Sequence, residues 1–452
     1  MEAKVVSERD SFTTKLGVLS AVAGSAVGLG NIWKFTYITG IFGGGAFVIV
    51  YLGCIAIIGL PVMLSEFVIG RRAQRNAVGS FKKLAPHTPW FFAGTMGVAA
   101  AFMILSFYGV VAGWTLEYLE KSIINSFAGK NAAELEEMFG GFISGVTKPI
   151  FWQIVFMCLT GWIVLAGIKG GIEKASKALM PALLIIILIL DIRAITLPGA
   201  GAGLSFLFKP DFSKLTAEGI LSALGHAFFS LSLGMGTLIT YSSYMSKEEN
   251  IATTAVQVTV ADTGIALLAG IVIFPAVFAF GIEPGTGPGL VFITLPNVFQ
   301  QMPGGYIFSI LFFLLLAIAA LTSSISILEV IVAYCVEELK LTRRKATIIA
   351  TIAITIVGIP CSLSMGVMSG ALLFGKNFFD WLDLIASNFL LPIGGLLITA
   401  FVGWYLSRDK TKEEVTSMGK FKAGYLPFFL FLAKFVAPIV IALIFLNGIG
   451  LL

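Results

Sequence analysis

Charge is scarce in this chain. Asp, Glu, Lys and Arg together supply 12% of its 452 residues, about half of what a soluble domain carries. A soluble fold of this length would lack polar surface, which excludes a water-soluble enzyme. Histidine is rarer still, with only His87 and His226. There is no H-E-x-x-H pair for a metalloprotease-type zinc site and no T-V-G-Y-G carbonyl filter of the potassium-channel kind. The four cysteines, Cys54, Cys158, Cys335 and Cys361, all lie inside apolar runs, so a disulfide scaffold is excluded. The net charge of +5 forms no basic patch. The cations punctuate apolar stretches instead, and no nucleic-acid partner is expected.

What the chain has in excess is apolar sequence, 57% of all residues. Stretches near 12–38, 46–70, 90–123, 149–167, 177–198, 217–246, 251–282, 305–338, 346–366, 377–406 and 424–452 are long enough to span a bilayer as helices. The expectation is an all-α polytopic membrane protein of eleven transmembrane helices, a single transmembrane domain over 1–452 without a soluble part. Most of the 30 Lys and Arg fall on one side if the N-terminus is cytoplasmic. Charge bias thus orients the N-terminus inside and, with an odd number of spans, the C-terminus outside, in a cell membrane.

Two spans read poorly as plain helices. The first carries Gly24, Gly28 and Gly30 around Asn31, and the sixth carries Gly234 and Gly236 after Ser230 and Ser232. Each glycine costs about 1 kcal/mol against alanine inside a helix. One such cluster alone fits close helix packing equally well. Their positions argue for more, because they open two successive five-span halves, 12–198 and 217–406, with 424–452 as an extra helix. Discontinuous helices at matching places in two inverted repeats point to a transporter site near the midplane. The eighth span adds Thr322, Ser323 and Ser324. Such hydroxyls can simply bond their own helix, or serve as hard oxygen ligands. Glu66, Asp191, Asp262, Glu329 and Asp383 are acidic residues within spans, each a functional candidate because an intramembrane charge is costly. Asp191 reads as half of a local pair with Arg193. His226, one turn before Ser230, reads as a hydrogen-bonded structural histidine.

These residues bring a family into view. Gly24 to Lys34 (GSAVGLGNIWK), Gly43–Phe47 with Tyr51, Pro61 and Glu66–Arg71, Phe229–Gly236 with Thr240, Tyr241 and Tyr244, and Leu321–Ser324 with Glu337 and Glu338 resemble, in order, helices 1, 2, 6 and 8 of the neurotransmitter:sodium symporters. The spacing of Gly171 and Pro181 is similar to the helix-5 unwinding pattern of the family's bacterial, eleven-span branch.

The resemblance implies sodium-coupled symport of neutral hydrophobic L-amino acids by alternating access, with two sodium ions and no chloride requirement. It implies a first sodium site of Ala26, Asn31, Ser230, Asp262 and the substrate carboxylate. The second would use Gly24, Val27, Ala319, Thr322 and Ser323. The substrate would lie among Ala26, Leu29, Gly30, Ile104, Tyr108, Phe229, Ser230, Ser232, Met235, Ser324, Ser326 and Ile327. An outer gate of Lys34 and Asp383, with Trp33 beside it, and an inner gate of Arg9 and Glu337 near Tyr244 complete the expectation. Glu66 is expected to tie the unwound parts of spans 1 and 6 through backbone N–H groups.

Overall fold

In the computed structural model, which describes residues 10–281 and 290–451, regular structure is helical. Among these residues nine helices are long and apolar enough to cross a membrane. They are Gly45–Ala73, Phe91–Ile123, Thr147–Leu165, Ile168–Ile195, Ile251–Ala279, Gly305–Glu337, Arg343–Leu363, Phe378–Tyr405 and Leu426–Gly448. The pair Lys15–Ala26 and Gly30–Ile41 passes the same test together, bent by 50° at its break. The stretch expected as the sixth span is two helices, Ala217–Ser230 and Thr237–Ser242, each too short to cross alone.

Both breaks fall on the glycine clusters. The first helix ends at Ala26, whose successor Val27 turns to an extended ψ of 106°. Between Ser230 and Thr237 three residues have left-handed backbone: Ser232 (φ 56°), Gly234 (φ 80°) and Gly236 (φ 74°). Glycine suits this region and serine does so at a cost. Ser232 is held there by a cross-break bond, its Oγ donating to the Ser25 carbonyl at 2.9 Å.

The fifth span differs from expectation. It begins nine residues earlier, and Gly171 lies in the π-helical segment Ile168–Glu173. Helix Lys174–Ile195 runs on through Pro181. A proline deletes only one backbone donor, and the helix accommodates that loss; the expected unwinding takes the form of widened turns before the proline instead of a gap. Asp191 and Arg193 do not pair. Two residues apart on a helix, they face different ways. Arg193 donates to the Thr196 hydroxyl and the Pro303 carbonyl, both at 3.4 Å, while neither carboxylate oxygen of Asp191 has a hydrogen-bond partner among the described residues.

The breaks are packed on all sides. The helix Gly305–Glu337 has 22 buried residues and lies against the first helix and the long helix Phe91–Ile123. The polar side chains gathered there, Asn31, Glu66, Ser230, Asp262, Thr322, Ser323 and Ser326, are all 6% exposed or less. A Cβ added at Gly234 would press on the Leu391 carbonyl and the Phe228 ring at a positive φ. Gly234→Ala is therefore expected to destabilise the fold by roughly 1–3 kcal/mol, seen as a lower melting temperature in detergent. Gly264→Ala, at an open helical position with nothing within 4 Å, should leave melting unchanged.

Candidate functional site

The breaks bring unpaired backbone oxygens to the helix Gly305–Glu337. Ser323 Oγ lies 3.4, 3.3 and 3.1 Å from the carbonyl oxygens of Gly24, Ser25 and Val27. Thr322 Oγ1 lies 3.4 Å from the Val27 oxygen and 3.0 Å from that of Ala319. Four carbonyls and two hydroxyls thus converge from two helices. The set is all oxygen, uncharged and suited to a hard monovalent cation. Gly24 is required for the approach, since a Cβ there would meet Met180 Sδ and Thr322 Cβ, each at 3.3 Å.

A second polar cluster sits on the other side of the same break. Asn31 Nδ2 donates to Asp262 Oδ1 at 2.7 Å and lies 3.2 Å from Ser230 Oγ. Ser230 Oγ is 3.1 Å from both carboxylate oxygens of Asp262. The Asn31 amide oxygen accepts from the Gly28 N–H at 2.9 Å. Asn31, Ser230 and Asp262 therefore meet from three segments, with the Asp262 carboxyl group buried among them.

Between these clusters lies a cavity lined by Ala26, Leu29, Gly30, Ile104, Tyr108, Phe229, Ser230, Ser232, Met235 and Ile327, as expected, and by Ser25, Gly28 and Ser323. Ser324 and Ser326 are not on its wall. A helix advances 100° per residue, so Ser324, two positions past Thr322, is carried round to a different side. Ser324 points to the helix Thr147–Leu165, where its Oγ is 2.9 Å from Thr160 Oγ1. Ser326 bonds back to the Ser323 carbonyl at 2.7 Å. Gly28 was legible in the sequence as part of the first cluster. A Cβ on it would collide with Ser323 Oγ.

Glu66 does half of what was expected. Its Oε1 accepts from the Gly234 N–H at 2.7 Å, which pins the second break; its Oε2 has no hydrogen-bond partner among the described residues. Neither ring nitrogen of His226 has a hydrogen-bond partner among the described residues. Its ring packs instead on Tyr51 and Phe35, with centroids 5.3 and 5.9 Å apart, so the imidazole serves as an aromatic body.

Above the cavity, a chamber is lined by Trp33, Lys34, Tyr37, Phe107, Val111, Phe379 and Asp383, and shares Leu29, Gly30, Tyr108 and Phe229 with it. Lys34 and Asp383 face this chamber without forming an ion pair within 4 Å. Lys34 Nζ lies 4.9 Å from the Phe229 ring centroid, a cation–π distance, and Asp383 Oδ1 accepts from Ser387 at 2.6 Å. Trp33 edges onto Tyr37 and Phe292, each at 6.3 Å.

At the opposite mouth, Arg9 lies outside the described residues. Glu337 Oε2 accepts from the backbone and side-chain nitrogens of Asn76, both at 2.9 Å. The Tyr244 hydroxyl donates to Glu329 at 2.8 Å, and Glu329 holds Arg343 at 2.6 Å. The Phe12 N–H donates to the Tyr244 carbonyl at 3.2 Å. Side-chain and backbone bonds thus join Phe12, Tyr244, Glu329 and Arg343 at this mouth.

A broken-helix membrane fold around an all-oxygen cluster defines an ion-coupled carrier, and comparison with known proteins gives its kind. The model of the sodium:neurotransmitter symporter family matches residues 9–139 and 141–451. The chain belongs to that family; it is a sodium-dependent symporter and not an enzyme. It is 48% identical to MhsT, solved in complex with L-phenylalanine, with a TM-score of 0.90 over 97% of this chain and 100% of that one. An uncharacterized sodium-dependent transporter of Bacillus subtilis, YhdH, is 42% identical over 98% of both chains. A Drosophila melanogaster sodium- and chloride-dependent GABA transporter is 25% identical over 94% of this chain and 49% of its own length.

Thr322→Ala with Ser323→Ala removes two oxygens from the carbonyl cluster while keeping small side chains. The expected result is an apparent sodium affinity at least about tenfold lower, a loss of about 1.4 kcal/mol or more, with melting near that of the unaltered protein. Sodium titration of tryptophan fluorescence checks it; an unchanged sodium response would mean that the hydroxyls only serve their own helix.

Proposed function

We propose that this protein carries neutral, hydrophobic L-amino acids into the cell with two sodium ions, by alternating access around the cavity between the breaks. The observation that carries this reading is the composition of the cavity wall. One end offers the Leu29 N–H and the Tyr108 hydroxyl, 3.4 Å apart, beside the Asn31–Ser230–Asp262 cluster. The rest is Ile104, Phe229, Met235 and Ile327. A carboxylate suits the polar end and a bulky apolar side chain suits the wall. Met235 can repack around different shapes, whereas a charged side chain would be buried unpaired.

One sodium ion would sit with Ala26, Asn31, Ser230, Asp262 and the substrate carboxylate, and the other with Gly24, Val27, Ala319, Thr322 and Ser323. Two ions entering through about 100 mV and a tenfold gradient supply roughly 7 kcal/mol, enough for steep accumulation. The likeness to MhsT with L-phenylalanine supports the substrate class. The full architecture of this reading has eleven spans in two inverted five-helix repeats plus a last helix, the N-terminus cytoplasmic and the C-terminus outside. Lys34 and Asp383 form the outer gate. Arg9 and Glu337, near Tyr244, form the inner one.

In competition for sodium-driven uptake into proteoliposomes, Leu, Ile, Val, Phe, Tyr and Trp should each compete, and Asp, Glu, Lys and Arg should not. Strong glutamate or lysine uptake with weak leucine competition would overturn the substrate assignment. Asp262 supplies a fixed negative charge at the first sodium site, so replacing chloride by gluconate should leave uptake unchanged. Asp262→Asn keeps the size and removes the charge, and should lower uptake at least about tenfold or make it chloride-dependent. Chloride-dependent uptake by the unaltered protein would contradict the charge assignment.

A further inference from the structure

We propose that Glu173 is a positioning residue for the transport cycle, the carboxylate that clasps the inner half of the broken first helix onto the fifth span. This rests on the alternating-access reading above. Glu173 ends the π-helical segment Ile168–Glu173 and is 2% exposed. Its Oε2 accepts from the Thr13 N–H at 2.8 Å. Its Oε1 accepts from the hydroxyls of Thr13 and Thr14 at 2.7 and 3.0 Å, and from Lys177 Nζ at 2.6 Å.

Thr14 is the N-cap of the helix Lys15–Ala26, and its oxygen accepts from the Gly17 N–H at 3.0 Å. The hydroxyl has one hydrogen, and that hydrogen goes to Glu173. The carboxylate therefore holds the cap that holds the helix, at a helix N-terminus where negative charge is favoured. Gly17 makes the seat, because a Cβ there would run into the Glu173 carboxylate. A second tie joins the same elements, the Ile168 N–H donating to Asp10 Oδ2 at 3.3 Å.

Two features make this clasp releasable. The threonine bonds are only part-buried, so water can replace them. The wide π-turns also set where Glu173 points. A π-turn advances fewer degrees per residue than an α-turn, so tightening Ile168–Glu173 would swing the carboxylate off the first helix. A change in the fifth span is thereby linked to freedom of the half-helix that carries Gly24 and Ala26. Sodium bound at Gly24 should favour the clasped state, and loss of sodium should favour release.

Hydrogen–deuterium exchange on the full chain in lipid nanodiscs tests this, comparing sodium with potassium buffers. In the unaltered protein, amides of residues 13–18 should exchange at least tenfold more slowly in sodium than in potassium. Glu173→Gln keeps the size and one acceptor oxygen, and should abolish most of that difference and raise the sodium concentration for half-maximal uptake at least threefold, with melting little changed. Gly17→Ala should do the same, although alanine is the better helix former, because it displaces the carboxylate. A purely local structural role would lower melting in both variants and leave the sodium-dependent difference intact, and that result would overturn the proposal, as would unchanged exchange in both. Sodium-independent uptake by the unaltered protein would instead overturn the transport reading. The exchange data would still report whether the clasp exists.

Discussion

Backbone polar groups without a helical partner cannot be left to lipid, and the centre of this molecule is organised around that constraint. Two helices stop in mid-fold, at Ala26 and at Ser230. The freed groups are met by side chains from other segments. The Ser25 carbonyl meets Ser232, the Gly234 N–H meets Glu66, the Gly28 N–H meets Asn31, and the Val27 carbonyl meets Thr322 and Ser323. Each bond crosses between a break and a neighbour or bridges within a break. Disturbing one break therefore disturbs the other, and a ligand that supplies a positive charge or a carboxylate there acts on both at once.

This makes coupling a local property. On the proposed reading, the ion at Asn31, Ser230 and Asp262 touches the substrate carboxylate directly, so each stabilises the binding of the other. On the same reading, the second ion would work through the first helix, by tying Gly24 and Val27 to the eighth span. The two mouths of the cavity differ in the same terms. One holds Lys34 and Asp383 apart across a chamber; the other is closed by Phe12, Tyr244, Glu329 and Arg343 in contact.

The spans were legible in the sequence because runs of 20 or so apolar residues leave little choice of structure, and the breaks because glycine clusters interrupt those runs. The residues that the family resemblance groups as a second sodium site, Gly24, Val27, Ala319, Thr322 and Ser323, lie together in the structure. What failed was adjacency. Ser324 follows Ser323 in sequence but faces Thr160, and Arg193 follows Asp191 by two residues but turns away to Pro303. Partners supplied from far along the chain were invisible as well. Nothing near Glu173 announces Thr13 and Thr14, 160 and 159 residues away. The opposite charges of Lys34 and Asp383 were readable, yet the two do not pair here, where Lys34 rests on Phe229 and Asp383 is bonded to Ser387.

The central claim is that sodium and an amino-acid carboxylate stabilise each other across the two breaks. Equilibrium binding of radiolabelled L-phenylalanine to the purified protein, measured over a range of sodium concentrations at constant ionic strength with potassium as replacement, tests it most directly. The account predicts that affinity rises steeply with sodium, with a slope approaching two on logarithmic axes before saturation, and that binding is negligible in potassium alone. Binding of equal strength in potassium and in sodium would contradict it.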